Sequence, residues 1–316
     1  MGRFTIEEYL NSPFEVSLQE LFALQKWVSG QKYPTRHSRQ NAMVQKSKVR
    51  GRGMDYAETK NYFPGDEVRL MDWRVTARTQ KPHVKVFEVE RECPVMVVLN
   101  MAPSMFFGTR TCLKSVLAAQ LSALLAWTAK KQGDRVGGML SSSENRFLCL
   151  PHARNQTLIH FLKTVSLATT QYQNSLWSDW SQQPQQDSSF RKALQELNKT
   201  LKPGTLLLLV NDWYDEPSDI QPYLYELRRH HDMILYHVCD PLEQGIELHG
   251  IYPIAQGKEI KNLNLQNKTQ MESYREFALD NMTRWQNIAR KIGVPYHPCS
   301  VDTDLTLLVR QSLLRR

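Results

Sequence analysis

Three almost unbroken apolar runs decide what this chain can fold into: "PVMVVLN" at 94–100, "GTLLLLVND" at 204–212 and "MILYHVCD" at 233–240. A strand that is apolar at nearly every position has no face left for water and must be covered on both sides. Helical spacing recurs between and after these runs, at about 111–131 (closed by Gly133), 154–167, 190–200, 219–231, 268–291 and 303–314. Strands alternating with helices of crossover length predict an α/β domain, a mostly parallel central sheet with helices on both faces. "DRVGGML", "NRFLCLP" and "GVPYHPC" read as further short strands, and "GIELHGIYPIAQGKEIKNL" as a small excursion of short strands. The polar stretch "QYQNSLWSDWSQQPQQDSS" reads as a connector.

This pattern assigns residues 93–316 to the sheet domain and 1–92 to an N-terminal extension. The extension opens with a helix over 6–30, with Leu18, Leu21, Phe22, Leu24 and Val28 at helical spacing. It closes with the strand-like "KPHVKVFEVERE". Between them, residues 26–52 carry eight Lys or Arg and no Asp or Glu, a surplus equal to the +8 net charge of the whole chain. Two readings stand for this segment: a basic arm for nucleic acid, anionic lipid or an acidic protein, and a solvated segment whose charge is incidental. No aromatic platform or recognised nucleic-acid motif accompanies the charge.

With 41% hydrophobic residues among 316, the chain can fill a large core. No apolar run reaches the roughly 18–20 residues that span a bilayer, and the N-terminus lacks the basic-then-apolar order of a signal peptide, so the cytoplasm is the expected location. The five cysteines, Cys93, Cys112, Cys149, Cys239 and Cys299, are widely spaced without a C-x-x-C pair and are expected to be reduced structural thiols. Phosphate-binding glycine loops, G-x-S-x-G and H-E-x-x-H do not occur. Nothing nominates a nucleophile, a general base or a cofactor cradle, and the expected class is non-enzymatic, with no cofactor.

In open parallel sheets ligands bind at the carboxyl ends of strands, where strand order reverses. Asn100 and the Asn211–Asp212 pair stand at two such ends. The succession of an apolar strand, "NMAPS", a helix and, over a hundred residues later, "LLLLVND" resembles the von Willebrand factor A-type fold. In that fold a D-x-S-x-S turn and a later strand-end Asp supply oxygens to a divalent cation, joined by a loop Thr. The resemblance implies Asn100, Ser104 and Asp212 as the counterparts here, with Ala102 at the middle position and Thr169 or Thr170 as candidates for the loop residue. Mg²⁺ wants several oxygens, usually including carboxylates. Asn100 lacks the charge and Ala102 lacks the hydroxyl, so the turn is expected to keep its shape while its metal is lost or greatly weakened, leaving at most weak Mg²⁺ binding.

Upstream, "RGRGMDYAETKNYFPGDEVRLMDWRVTARTQKPHVKVFEVERECPVMVVLNMAPSMFFG" is similar to domain-of-unknown-function family fifty-eight. Its hallmark residues correspond to Tyr62, Gly65, Asp66, Arg69, Asp72, Trp73, Ala77, Arg78 and Lys85, with Asp240, Pro241 and Glu243 matching a later segment. Read physically, Gly65 suits a tight turn and Asp66 a helical cap. Asp66 with Arg69, and Asp72 with Arg74 or Arg78, place opposite charges within reach, and Trp73 supplies an apolar anchor. The cluster is read as a structural staple, with a partner-docking surface as the alternative. The resemblance implies a protein-interaction adaptor that works with a MoxR-type AAA+ ATPase and other A-type-domain proteins in assembling or remodelling complexes.

Overall fold

A computed structural model describes residues 12–28, 54–89, 93–142, 146–178, 189–244, 250–256, 259–264 and 267–314. The chain divides into two units, Met1–Thr35 with Cys93–Arg316, and Arg36–Glu92. In chain order, α1 (Leu18–Ala23) is followed by β1 (Met54–Asn61), α2 (Trp73–Thr79) and β2 (His83–Val89). The larger unit continues through β3 (Pro94–Met101), α3 (Lys114–Lys131), β4 (Arg135–Ser142), β5 (Arg146–His152), α4 (Asn155–Ser178) and α5 (Ser189–Thr200). It ends with β6 (Leu206–Asn211), α6 (Pro217–His230), β7 (Asp232–Val238), β8 (Ile251–Gln256), β9 (Glu259–Asn264), α7 (Lys268–Ile292), β10 (Tyr296–Cys299) and α8 (Leu305–Leu314).

Six strands form the central sheet in the order β10-β7-β6-β3-β4-β5. All neighbours are parallel except β4 and β5, which pair antiparallel at one edge. The three apolar runs are adjacent in its middle. Their side chains alternate between two cores: Val95, Val97, Leu99, Leu206, Leu208 and Val210 face α3, while Met96, Val98, Leu207 and Leu209 face the α5–α6–α7 side. That alternation is the period-two geometry of a strand, and it explains why apolar residues were needed at every position. Gly138 of β4 lets α4 approach, since a Cβ there would lie 2.2 Å from the Phe161 ring.

α3 is buried all round, from Lys114 to Ala129, because the N-terminal segment covers its outer side. Trp127 Nε1 donates to the Leu21 carbonyl at 2.9 Å, and Lys131 Nζ donates to the Val28 carbonyl at 2.8 Å. Residues 12–28 therefore pack with the sheet domain, in the same unit as residues 93–316. The helix expected over 6–30 is confined, among the described residues, to α1 and a 3-10 turn at Leu24–Trp27. Ser17 and Glu20 set its start as a reciprocal capping box, which leaves residues 12–16 non-helical. At its other border the connector expected over 171–189 is helical as far as Ser178.

The smaller unit is an antiparallel β1–β2 pair, with the stretch between the strands folded into a 3-10 turn at Val68–Leu70 and then α2. β1 carried no strand expectation in the sequence. Backbone bonds from Tyr62 N to the Pro82 carbonyl (2.9 Å) and from Asp72 N to the His83 carbonyl (2.8 Å) close this loop onto β2. Most of the basic segment, residues 29–52, lies outside the described residues. Among the described residues no helix is long and apolar enough to cross a membrane. No disulfide joins the five cysteines, and burial pushes the Cys112 and Cys239 thiols up to about 12 and Cys149 up to about 11, which suppresses thiolate chemistry.

Candidate functional site

The chain leaves β3 towards β4 and later returns to place β6 on the other side of β3, so the strand order reverses between β3 and β6. At the carboxyl ends of these strands a buried polar cluster replaces the apolar core. Asn100 Nδ2 donates to Asn211 Oδ1 across the seam at 2.9 Å, and the backbone N–H of Asp212 donates to the same oxygen at 2.9 Å. Asn211 Nδ2 in turn donates to Asp215 Oδ2 at 3.3 Å. Burial lifts the Asp215 carboxyl to about 6, with Asp212 adding to the rise and the Asn211 bond opposing it.

The centre of the cluster is Lys114, at the first position of α3 and 1% exposed. Its Nζ donates to Glu243 Oε1 at 2.7 Å and to Asp212 Oδ2 at 3.3 Å. The Tyr214 ring lies 4.9 Å from the ammonium and the Phe107 ring 5.9 Å, both presenting their π-faces. Burial by itself depresses an ammonium, but Asp212 and then Glu243 outweigh it and hold Lys114 charged, above the ordinary lysine range. With one cation between two carboxylates, burial leaves the Glu243 carboxyl raised despite the pull of Lys114. The Tyr214 hydroxyl donates to Glu243 Oε1 at 3.1 Å.

The surrounding loops are tied to one another. Asp240, fully buried after β7, accepts from Thr109 N (2.8 Å) and Thr109 Oγ1 (2.5 Å), which fastens the loop after β3 to the loop after β7. Asp240 N donates to Glu243 Oε2 at 2.8 Å. Trp213, one residue past Asp212, has φ of 55°, a left-handed conformation that a bulky residue adopts at a cost. Its indole offsets that cost by packing 4.8 Å from Trp285 and 5.8 Å from Phe190, and by donating to the Tyr236 carbonyl at 3.1 Å. The turn that presents Asp212 is thus held by a buried aromatic cluster.

The residues expected around a metal are distributed as follows. Asn100 and Asp212 belong to the cluster, and Ser104 lies in the 3-10 turn Pro103–Met105 that follows β3. Thr169 is a buried helical residue of α4 whose hydroxyl donates to the Ser166 carbonyl and accepts from Val16 N, so it anchors the N-terminal segment and is not a loop ligand. Thr170 also lies in α4 and donates to the Ser166 carbonyl. These residues do not suit a divalent cation: Asp212 already spends one oxygen on an ammonium, and Asn100 turns its amide nitrogen, a donor, towards the seam. Among the described residues no group of three or more His, Cys, Asp or Glu is arranged to hold a metal.

Lys114 and Thr109 were missed as site residues. The signal for Lys114 was a lone cation in the first turn of an otherwise apolar helix, where the helix dipole opposes it, so that it required carboxylate partners.

In the smaller unit the motif residues arrange differently from expectation. Gly65 has φ of 107° and makes the tight turn. Asp66 closes that turn by accepting from Phe63 N at 3.0 Å, and it pairs with Lys60 at 2.7 Å where a pair with Arg69 was expected. Asp72 caps α2, accepting from Arg74 N and Val75 N, each at 3.1 Å. Tyr62 is half-buried, and Arg69 and Arg78 are exposed. Trp73 is 68% exposed, so the indole is not the buried anchor that a staple requires.

A mainly parallel six-stranded sheet, helices on both faces and a polar cluster at the strand reversal define a von Willebrand factor A-like α/β domain, with the N-terminal segment 12–28, which carries α1, packed on it. A family model, "Protein of unknown function DUF58", matches residues 58–283, and the chain belongs to that family. The chain is 25% identical over 197 residues to uncharacterized proteins Mb1516 of Mycobacterium bovis and Rv1480 of Mycobacterium tuberculosis, a match covering 61% of this chain and 57% of each relative. It is also similar to two solved structures. A conserved hypothetical protein, BatB, from Bacteroides thetaiotaomicron has TM-score 0.43 and 16% identity, covering 69% of this chain and 95% of that one. An aerotolerance-related membrane protein from Bacteroides fragilis has TM-score 0.41 and 14% identity, covering 69% and 97%.

Proposed function

We propose that this is a cytoplasmic, non-enzymatic adaptor that docks a MoxR-type AAA+ ATPase, and other A-type-domain proteins, through its family motif. The carrying observation is a run of large apolar side chains left in water on a firmly built loop. Phe63 is 64% exposed, Val68 55%, Leu70 38% and Trp73 68%, beside exposed Arg69, Arg74 and Arg78. Exposed aromatics flanked by Arg are the residue types that anchor protein interfaces. The loop beneath them is fixed by the Asp72 cap and the Lys60–Asp66 pair, so little ordering would be required on binding. The partner implied by this chemistry has an apolar recess with an acidic rim. In this reading the strand-reversal crevice, with Asn100, Ser104 and Asp212, descends from a metal-binding turn that now binds Mg²⁺ weakly or not at all.

The test uses the purified chain and the purified MoxR-type ATPase of the same host in a co-purification with and without ATP. A stable complex with wild type that is lost in Trp73→Ala, at unchanged melting temperature, supports docking through the motif. No complex in either nucleotide state sinks the ATPase as partner. A complex indifferent to Trp73→Ala and Phe63→Ala moves the docking surface elsewhere.

A further inference from the structure

We propose that Lys114 is the resident cation of this domain: its ammonium, carried on the first turn of α3, takes the place of a divalent ion at the strand reversal and makes the crevice independent of metal. The inference deepens the metal part of the reading above, and rests on it only in taking the crevice to descend from a metal-binding turn. The ammonium bridges Asp212 after β6 and Glu243 after β7 at 3.3 and 2.7 Å, and arrives from the helix that follows β3. One positive group therefore joins the segments that follow three neighbouring strands, as a bridging metal ion would.

Independent features point to the same role. A lysine at a helix N-terminus works against the helix dipole and, when 1% exposed, against desolvation, so packing does not account for it. The rings of Tyr214 and Phe107 cover further sides of the ammonium, which leaves a closed clasp and not an open coordination position. Asp212 Oδ1 is buried with no hydrogen-bond partner, the second oxygen of a carboxylate whose first oxygen the lysine holds. A divalent ion would engage both oxygens of such a group readily, whereas the ammonium at 3.3 Å engages one. The two carboxylates stand as they would around a bridging metal ion, and the cation between them is a side chain of the protein itself.

The clasp is tested on the full chain by thermal melts in EDTA and then in millimolar Mg²⁺ or Mn²⁺, with no partner present, so its failure is separate from failure of the docking reading. Wild type is expected to melt at the same temperature in all three. Lys114→Ala is expected to melt lower in EDTA and to recover about 3 °C or more with Mn²⁺. Adding Asp212→Asn is expected to abolish that recovery. If Lys114→Ala does not fold in EDTA, Lys114→Met combined with Asp212→Asn and Glu243→Gln decides the matter. A resident cation predicts that this neutral triple variant folds and ignores metal. The proposal is overturned by an Asp212-dependent metal shift in wild type, by a folded Lys114→Ala that ignores divalent ions, or by a triple variant as unstable as Lys114→Met alone.

Discussion

Asn100 and Asn211, 111 positions apart, face each other across the reversal of the sheet, with Asn100 Nδ2 donating to Asn211 Oδ1 at 2.9 Å. The same Asn211 oxygen accepts from Asp212 N, and its amide nitrogen reaches Asp215, so the orientation of this one amide is fixed on both sides. A carboxylate at position 100 would meet an oxygen and would carry a buried charge.

Asn100→Asp is therefore expected to destabilise the domain by roughly 2–3 kcal/mol, the cost of replacing a buried hydrogen bond by an opposed acceptor. Chemical denaturation at neutral pH measures it. Asn100→Asp with Ala102→Ser, which rebuilds the oxygen-rich turn, is expected to show no Mg²⁺-dependent rise in melting temperature while Lys114 is in place. A clear rise would mean that the ammonium yields to metal.

Stability is expected to depend on Asp215. Its carboxyl titrates at about 6 in the folded chain against an ordinary value of 3.8, chiefly through burial. Between those values the folded state binds more protons than the unfolded state, so this residue's contribution falls as pH rises from about 4 to about 6 and is level above that. The amplitude is about 3 kcal/mol. Asp215→Asn should flatten this part of the profile; a variant whose pH profile overlays wild type would show that Asp215 ionises freely.

Asp72→Ala removes the carboxylate that accepts from Arg74 N and Val75 N at the start of α2. The loss of such a cap costs about 1 kcal/mol. Because Trp73 follows it directly, the variant should also weaken partner capture, whereas Asp72→Asn, which retains a capping oxygen, should restore most of both. Equal loss in the Asn and Ala variants would argue for the charge and against the cap.

Gly138→Ala places a methyl group 2.2 Å from the Phe161 ring, where α4 crosses β4. Overpacking of this kind costs about 1–3 kcal/mol. Phe161→Leu in the same background should recover part of the loss by making room. Denaturation midpoints of the two single variants and the double variant give the coupling; strict additivity would place the strain elsewhere.

The elements were legible where burial imposed a period. "PVMVVLN" and "LLLLVN" could be nothing but doubly covered strands, because each alternate side chain has a different core to fill. The position of Asn100 and Asp212 at the sheet's carboxyl end was legible because polar groups ending such runs must lie at strand ends. β1 was not, since "MDYAETKN" is polar and is a strand through its pairing with β2, which is a long-range fact. Trp73 misled because its apolarity reads as burial, and a sequence does not say which large apolar side chains stay in water.

What the sequence determined by itself was the alternation of apolar strands and helices, and with it a parallel sheet covered on both faces, because the hydrophobic effect acts on local periodicity. What the tertiary structure decided was the pairing of charges. Lys114, Asp212 and Glu243 are separated by 98 and 129 positions from the lysine to each carboxylate, and no local pattern relates them. They meet because β3, β6 and β7 lie side by side and, being parallel, all finish at the same carboxyl end of the sheet. A buried ammonium is tolerable only with carboxylates within a few ångströms, and that condition is met by strand order, which the chain settles only when the whole sheet has formed.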